Sequence, residues 1–352
     1  MFKKIYKYFF FIILFIITYL FYIFPFEMLN KYLLNESIRF QYSLINTVIF
    51  YVLIIYYLRS HNTFKPLKIF VYEGLGIGFI SFMVISISIL VNLVDIFKET
   101  SIGITSLIII FVLSAYGMIN ARNISIKKIE LTSAKIHNNF SIIFISDVHL
   151  GTNTTKHLKK ILNKIKTIKY DLIIIGGDLI DSSSFNINDL NILNEIKKDI
   201  YFVNGNHEYY LKDYKNKIAQ FKNFNIHVLK NTCEKIDQIN LIGVDDIETE
   251  RSKIEYITKL KQDNLFNLVV SHKPDIWDSI NNKAELMLSG HTHNGQIFPF
   301  NLIVKLKFKY IYGLYKNKKS RLYVSSGSGC WGPKLRIGSS NEIININLTA
   351  EN

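Results

Sequence analysis

The 352-residue sequence predicts an α/β protein in two parts, a block of four transmembrane helices over residues 1–120 and a soluble domain over residues 121–352. Three observations predict it. Nearly everything before residue 120 is apolar and falls into four long stretches. From residue 129 onward, short apolar runs alternate with amphipathic ones. Five of those later runs end in Asp, Asn or His.

The apolar stretches cover about 8–26, 41–58, 74–94 and 103–119. Each is near the roughly 20 residues that cross a bilayer core as a helix. None has a charge at its centre, and none shows the polar stripe of a helix packed on a soluble core. The first stretch is longer than the apolar region of a cleaved signal peptide, and no small-x-small site follows at 24–30, so it is read as a retained helix. Basic residues gather at the N-terminus (Lys3, Lys4, Lys7), in the second loop (Arg59, Lys65, Lys68) and after the fourth helix (Arg122, Lys127, Lys128). The alternate loops hold Lys31 and Arg39 in one and Lys98 in the other. This bias places both termini and the soluble domain in the cytoplasm, on an integral protein of the plasma membrane. Glu73 is the ionisable candidate of the block, and its place at a helix edge reads as an interfacial anchor, which disfavours a transporter.

The formal net charge of +14 has no run of like charges that would mark a nucleic-acid tail. No nucleic-acid partner is expected, and no protein partner is identifiable. The excess of Lys fits positive-inside loops and an overall richness in Lys, Ile and Asn. The two cysteines, Cys233 and Cys330, have neither a disulfide nor a metal spacing and read as inert small hydrophobes.

In the soluble domain, strands are expected over 142–146, 172–175, 200–203, 226–229, 239–244, 268–271, 286–288, 322–325 and 343–348, and helices over 155–169 and 189–198. Leu158, Ile161, Leu162 and Ile165 give the first helix one apolar face. Strand–helix alternation followed by crowded strands reads as α/β with a mixed sheet system. The strand ends read Asp147-Val148-His149, Gly176-Gly177-Asp178, Gly205-Asn206-His207-Glu208, Ser271-His272 and Gly290-His291-Thr292-His293. Ligands of open α/β sheets bind beyond the carboxyl ends of strands. Residues i and i+2 on extended backbone point the same way, so Asp147 and His149 can reach one centre, as can His291 and His293. Imidazole and carboxylate without thiolate suit Mn, Fe, Zn, Co or Ni, and so many donors exceed what one ion needs, which implies two divalent ions.

These five blocks, D-x-H, G-D, G-N-H-E, S-H and G-H-T-H, resemble in order those of the calcineurin-like metallophosphoesterases, over most of residues 140–348. The string from Gly290 to Ile297 looks like the phosphodiesterase branch that includes UDP-diacylglucosamine pyrophosphatase-type enzymes, although that branch often has Gly where this chain has Asn294. The tail around 324–329, Leu335-Arg336 and Asn341-Glu342-Ile343 is similar to it too. The Ser/Thr protein phosphatases share G-N-H-E but would need Arg-Gly after Asp181, where Ser182 and Ser183 stand, and Gly-Gly after His272, where Lys273-Pro274 stand.

The resemblance implies a pair of sheets sandwiched between helices, an α-β-β-α sandwich. It implies that Asp147, His149, Asp178 and His293 hold one metal, and that Asp178, Asn206, His272 and His291 hold the other, with Asp178 bridging. His207 would be the acid that protonates the leaving oxygen. Arg336 is a candidate for gripping a phosphate oxygen bidentately. Glu208 reads as a supporting group or a plain loop carboxylate, and Trp277 and Trp331 as packing. His61, His137, His157 and His227 lie outside the motifs and read as ordinary histidines.

The function expected is hydrolysis of a phosphodiester or pyrophosphate by a hydroxide bridging the metals. The rival readings are a tethered phosphodiesterase of soluble nucleotides and a non-catalytic membrane sensor. Within the segment 303–315, residues 304–310 strictly alternate apolar and basic; as extended backbone they would put Lys305, Lys307 and Lys309 on one face, with Tyr310, Tyr312 and Tyr315 following. That pattern suggests membrane lipid as a partner and a lipid-linked phosphate as the substrate.

Overall fold

The computed structural model describes residues 2–60, 64–318 and 320–351; His61 lies outside the described residues, as do the side chains of Lys3, Lys4 and Lys7. Contacts divide the chain into two units, Met1–Asn120 with Gly332–Leu335, and Ala121–Trp331 with Arg336–Asn352.

The first unit contains α1 (Phe2–Thr18), α2 (Phe24–Leu34), α3 (Phe40–Ser60), α4 (Lys65–Asn92) and α5 (Glu99–Asn120). α1 runs into α2 through a π-helical turn, Tyr19–Ile23, just before Pro25, which has no N–H to continue the ladder. The first span is therefore Tyr8–Leu34, longer than the apolar stretch suggested. With Phe40–Arg59, Lys65–Asn92 and Glu99–Asn120 it makes, among the described residues, four helices long and apolar enough to cross a membrane. Several polar side chains between these helices find partners, as an apolar solvent favours. The Tyr22 hydroxyl donates to the Val71 carbonyl at 2.8 Å, and the Ser88 and Ser106 hydroxyls share a bond of 2.7 Å.

The second unit begins with β1 (Ile124–Ser133), β2 (Phe140–Ile145), α6 (Thr155–Ile165), β3 (Leu172–Ile175) and β4 (Ile200–Phe202). It continues with α7 (Asn206–Tyr210), α8 (Tyr214–Ala219), β5 (Ile226–Val228), β6 (Thr232–Ile236), β7 (Ile239–Val244) and α9 (Glu250–Leu260). It closes with β8 (Phe266–Ser271), α10 (Trp277–Ile280), β9 (Leu286–Ser289), α11 (Phe300–Lys307), β10 (Gly313–Asn317), β11 (Ser320–Val324) and β12 (Asn341–Ala350). One six-stranded sheet has the order β1-β12-β2-β3-β4-β5, the other β10-β11-β9-β8-β7-β6. β2 to β5 are mutually parallel, as are β7, β8, β9 and β11, and antiparallel neighbours close the edges at β6 and β10.

Side-chain alternation builds the layers. Along β2, Ile142 and Phe144 enter the core between the sheets with Leu172, Ile174, Leu268 and Leu288. Ile143 and Ile145 face the other way, against Leu158, Ile161, Leu162 and Ile165 of α6. Beyond the second sheet, Val269, Met287 and Leu322 pack with Ile257 of α9 and Trp277 of α10. The result is an α-β-β-α sandwich whose parallel strands, buried on both faces, read as unbroken apolar runs.

Two expectations fail. The helix expected over 189–198 is a 3-10 stretch, Ile187–Glu195, because its buried residues Ile187, Leu190 and Leu193 repeat every three positions rather than every 3.6. The extended segment expected over 303–315 is α11 followed by β10. Asn301, Val304 and Phe308 are its partly buried positions, a spacing of three and four that only a helix makes one-sided. Lys305 and Lys307 then point roughly 200° apart, and Lys309, beyond the helix, pairs with Asp278 at 2.9 Å. The three-lysine face does not form.

Candidate metal centre

The loops after β2, β3, β4, β8 and β9 meet at one end of the two sheets. The β2 and β3 loops pair with each other: Asp147 N–H donates to Gly177 O, His149 N–H to Asp178 O and Leu150 N–H to Leu179 O, at 3.0, 3.0 and 2.8 Å. The β9 loop joins them when His291 N–H donates to both carboxylate oxygens of Asp147 at 3.1 Å. The His207 N–H, in the first turn of α7, donates to Asp178 Oδ1 at 2.9 Å. Glycine is required where loops touch: a Cβ on Gly205 would lie 2.1 Å from Asp178 Oδ1, and one on Gly290 would lie 2.3 Å from Asp147 Oδ2.

The backbone differs from the extended form expected. Asp147, His149, Asp178, His291 and His293 all have φ between 50° and 73°, in the left-handed region. Non-glycine residues there cost on the order of 1–3 kcal/mol each and persist only where surroundings hold them. Asp147 and His149 do converge on one point, but through a turn rather than a strand.

Two donor triplets result: Asp147, His149 and His293, and Asp178, His272 and His291, with the ligand atoms of each within 4.8 Å of one another. His149 Nε2 lies 3.1 Å from His293 Nε2, and His272 Nε2 lies 3.2 Å from His291 Nδ1. Donors about 2.1 Å from a shared ion would stand roughly 3.0–3.4 Å apart. Asp178 Oδ2 touches both triplets, 3.1 Å from His272 Nε2 and 3.8 Å from His149 Nε2. A further grouping puts His207 with His149 and Asp178. Asn206 contributes a buried amide oxygen that accepts no hydrogen bond from the protein. Convergent nitrogen and oxygen donors with an unanswered amide oxygen fit divalent metal ions.

Electrostatics agree with that fit. Burial alone would strip the proton from His272, but the carboxylates of Asp178 and Asp147 outweigh it and push its pKa up to about 10. His291, desolvated and beside that imidazolium, is pushed down to about 2. Asp178 is held well below the usual range despite its burial, chiefly by His272. The metal-free cluster thus takes a proton where it would hold a cation. His272 is oriented by its other nitrogen, Nδ1, 2.8 Å from the Gly176 carbonyl.

Two supporting residues were only partly legible. Glu208, fully buried, accepts from Gly205 N–H at 2.8 Å, Asp178 N–H at 3.0 Å and Ile180 N–H at 3.1 Å. It staples the β3 loop to the β4 loop, and desolvation raises its carboxyl to about 7. Asp181, not singled out in the sequence as a site residue, accepts from both Thr152 N–H and Thr152 Oγ1, and its Oδ2 lies 3.5 Å from His149 Nδ1, a long contact that acts through charge. Its signal was the Asp178-x-x-Asp181 spacing.

Arg336 is a correction. Its guanidinium is fully buried and donates to the carbonyls of Ser326, Gly329 and His293 at 2.7, 2.6 and 3.0 Å, and through Nε to Asn341 Oδ1 at 3.0 Å. Donors spent on main-chain carbonyls do not grip phosphate; Arg336 is a strut beneath His293. Trp331, expected as packing, is instead exposed, with its ring 5.5 Å from that of His207. Trp277 is buried and does pack.

Fold and site together give an α-β-β-α sandwich with groups of Asp and His that could hold metal at one end of its sheets, and similarity to known proteins names the family. A calcineurin-like phosphoesterase family model matches residues 140–295. The chain is 31% identical over 265 residues to an uncharacterized metallophosphoesterase of Campylobacter jejuni, covering 69% of this chain and 68% of that protein. It is 33% identical over 239 residues to one from Helicobacter pylori, covering 64% of each. It is 29% identical over 286 residues to the Danio rerio "transmembrane protein with metallophosphoesterase domain", covering 72% of this chain and 63% of that one. The matches span just under two thirds of the Helicobacter and Danio proteins. The chain belongs to the calcineurin-like metallophosphoesterase family, as a membrane protein.

Two outcomes test the site. Because His272 must lose its proton to bind metal, apparent affinity for Mn²⁺ should rise about tenfold per pH unit between pH 6.5 and 8.5, with release of about one proton; calorimetry in buffers of different ionisation enthalpy measures this, and pH-independent binding would refute the charge exchange. Arg336→Lys, unable to span its carbonyls, should lower Tm by roughly 5–10 °C and weaken metal retention. An unchanged Tm would remove the strut.

Proposed function

We propose that the protein is a membrane-anchored two-metal hydrolase of a phosphodiester or pyrophosphate, with its catalytic unit on the cytoplasmic side. The observation that carries this reading is Asp178, one buried carboxylate in contact with histidines of both triplets. Asp147, His149, Asp178 and His293 would hold one divalent ion, and Asp178, Asn206, His272 and His291 the other. When bound, such a pair polarises phosphoryl oxygens and lowers the pKa of water to near neutrality.

The protein's own groups do the rest. Main-chain donors fix the carboxylates: His291 N–H on Asp147 and His207 N–H on Asp178. The left-handed loops hold the imidazoles in place before substrate arrives, which is the preorganisation that charge stabilisation requires. His207 stands at the mouth, its side chain 15% exposed and its ring 4.7 Å from that of His149. Desolvation, only partly opposed by Asp178, lowers its pKa to about 4. In the metal-free cluster it is therefore neutral at pH 7; an anionic phosphate opposite it would favour the imidazolium, the form that can give a proton to the leaving oxygen.

His207→Ala should keep both metals and lose roughly 10²–10⁴-fold in rate on an alkyl-leaving diester, with a smaller loss for p-nitrophenolate, which leaves without a proton. Asp178→Asn should instead lose metal and activity together. Metal analysis alongside rates distinguishes them, and loss of metal from the His207 variant would make His207 a ligand rather than an acid.

The orientation rests on the basic segments flanking the helices. With Cys233 and Cys330 replaced by Ala, a cysteine at the exposed position Ser184 should resist membrane-impermeant maleimide in intact cells and react after permeabilisation. Labelling without permeabilisation would invert the topology.

A further inference from the structure

Large apolar side chains are exposed unevenly over the second unit. Phe298, Phe300, Leu302, Ile303 and Leu306 fall within nine residues, and Leu306 is 87% exposed. At 100° per residue, Leu302, Leu306 and Ile303 occupy a continuous outward arc of α11, with Lys305 and Lys307 on its two flanks. The inward side of the helix carries Asn301 and Val304.

This arc hangs from the metal centre at both ends. Before it, His293 leads to Gln296, whose side chain bonds both to and from the main chain of Trp331 at 3.0 Å. The rings of Trp331 and Tyr210, both exposed, lie 5.5 and 5.3 Å from that of His207. After it, the Phe308 ring lies 5.1 Å from the His291 ring, and Lys307 Nζ lies 5.3 Å above Phe308. The mouth of the site therefore has an apolar rim, with a cation at its edge.

We propose that α11 and this rim seat in the surface of the bilayer and present the head group of an amphiphilic phosphate ester to the metal centre, its chain lying along Leu302, Ile303 and Leu306. The proposal rests on the hydrolase reading for its chemistry, and on the following for its location. The arc is convex and aliphatic with flanking lysines, the composition of an interfacial helix on an anionic leaflet. The exposed rings of Trp331 and Tyr210 at the rim belong to the residue types that collect at the head-group level of a bilayer. Only three residues separate the last apolar helix, ending at Asn120, from β1 at Ile124, so the unit is tethered close to a membrane. In the reaction, water adds to phosphorus, the bond from phosphorus to the leaving oxygen breaks, and the proton goes to that oxygen or to solvent.

The test uses the full chain reconstituted in vesicles of phosphatidylcholine with phosphatidylglycerol. In a Cys233→Ala, Cys330→Ala background, a polarity-sensitive fluorophore on Leu306→Cys should emit to the blue and be quenched by lipids spin-labelled near the head group. The same label on Tyr256→Cys should stay aqueous. An aqueous spectrum at 306 overturns the proposal. So does a spectrum that is aqueous in vesicles yet blue in native membranes, since a protein would then cover α11. In parallel, the triple variant L302S, I303S, L306S is assayed with Mn²⁺ on two esters that release the same p-nitrophenolate. Hydrolysis of hexadecyl p-nitrophenyl phosphate in vesicles should fall roughly tenfold or more, while that of soluble bis(p-nitrophenyl) phosphate stays within about twofold. An equal fall on both would make α11 ordinary structure. If the wild type cleaves neither ester, the hydrolase reading fails by itself, and the label at 306 still decides whether α11 meets the bilayer.

Discussion

Two carboxylates, Asp147 and Asp178, are buried at the end of one sheet with oxygens within 3.9 Å of the same imidazole nitrogen, His149 Nε2. Buried negative charge at that density is tolerable only with positive charge beside it. Without metal, His272 supplies it; with metal, two cations would. Nearly every unusual feature of the second unit answers to this one requirement. The donors must face inward, water must be kept off them, and the loops that carry them must not relax.

Those loops are held by partners that never touch a reacting group. Glu208 occupies three main-chain N–H groups of the β3 and β4 loops. Arg336 occupies three carbonyls of the segment that follows β11 and of the β9 loop. One is a carboxyl group accepting from amides, the other a guanidinium donating to carbonyls, and both are wholly buried. The two groups brace different loops of the cage. Left-handed backbone at five of the donors is sustained by this bracing and by the pairing of the β2 and β3 loops.

Much of this was legible because the parallel strands are buried on both faces. Ile173-Ile174-Ile175 and Leu268-Val269-Val270 announce themselves as continuous apolar runs, and the polar residue ending each run announces the site. Edge strands were missed where that signal weakens: β6 and β10 alternate partly buried and exposed residues, and β1 holds Lys127, Lys128 and Glu130. α11 was misread because Val304-Lys305-Leu306-Lys307 satisfies the period of a strand by composition alone. Its helical character depends on which positions find a surface to bury against, and that is a tertiary fact. Arg336 was misassigned for a related reason. A guanidinium can donate to phosphate or to main-chain carbonyls, and which of them it meets depends on its burial in the fold. The direction of Asp147 and His149 was right while the backbone that produces it was not, since no local sequence rule predicts left-handed Asp and His.

The order of strands in the first sheet has a consequence for how the protein is made. β12, from Asn341–Ala350, lies between β1 and β2, parallel to one and antiparallel to the other. β1 follows the last apolar helix at once, so it emerges on the ribosome early and waits without its neighbour. The sheet is completed only when some two hundred further residues have been translated and the late strand has slotted between two early ones. During that interval β1 and the open edge of β2 present unpaired amides and carbonyls beside a nascent chain already fixed in the membrane, a stage at which chaperones and proteases have their best opportunity.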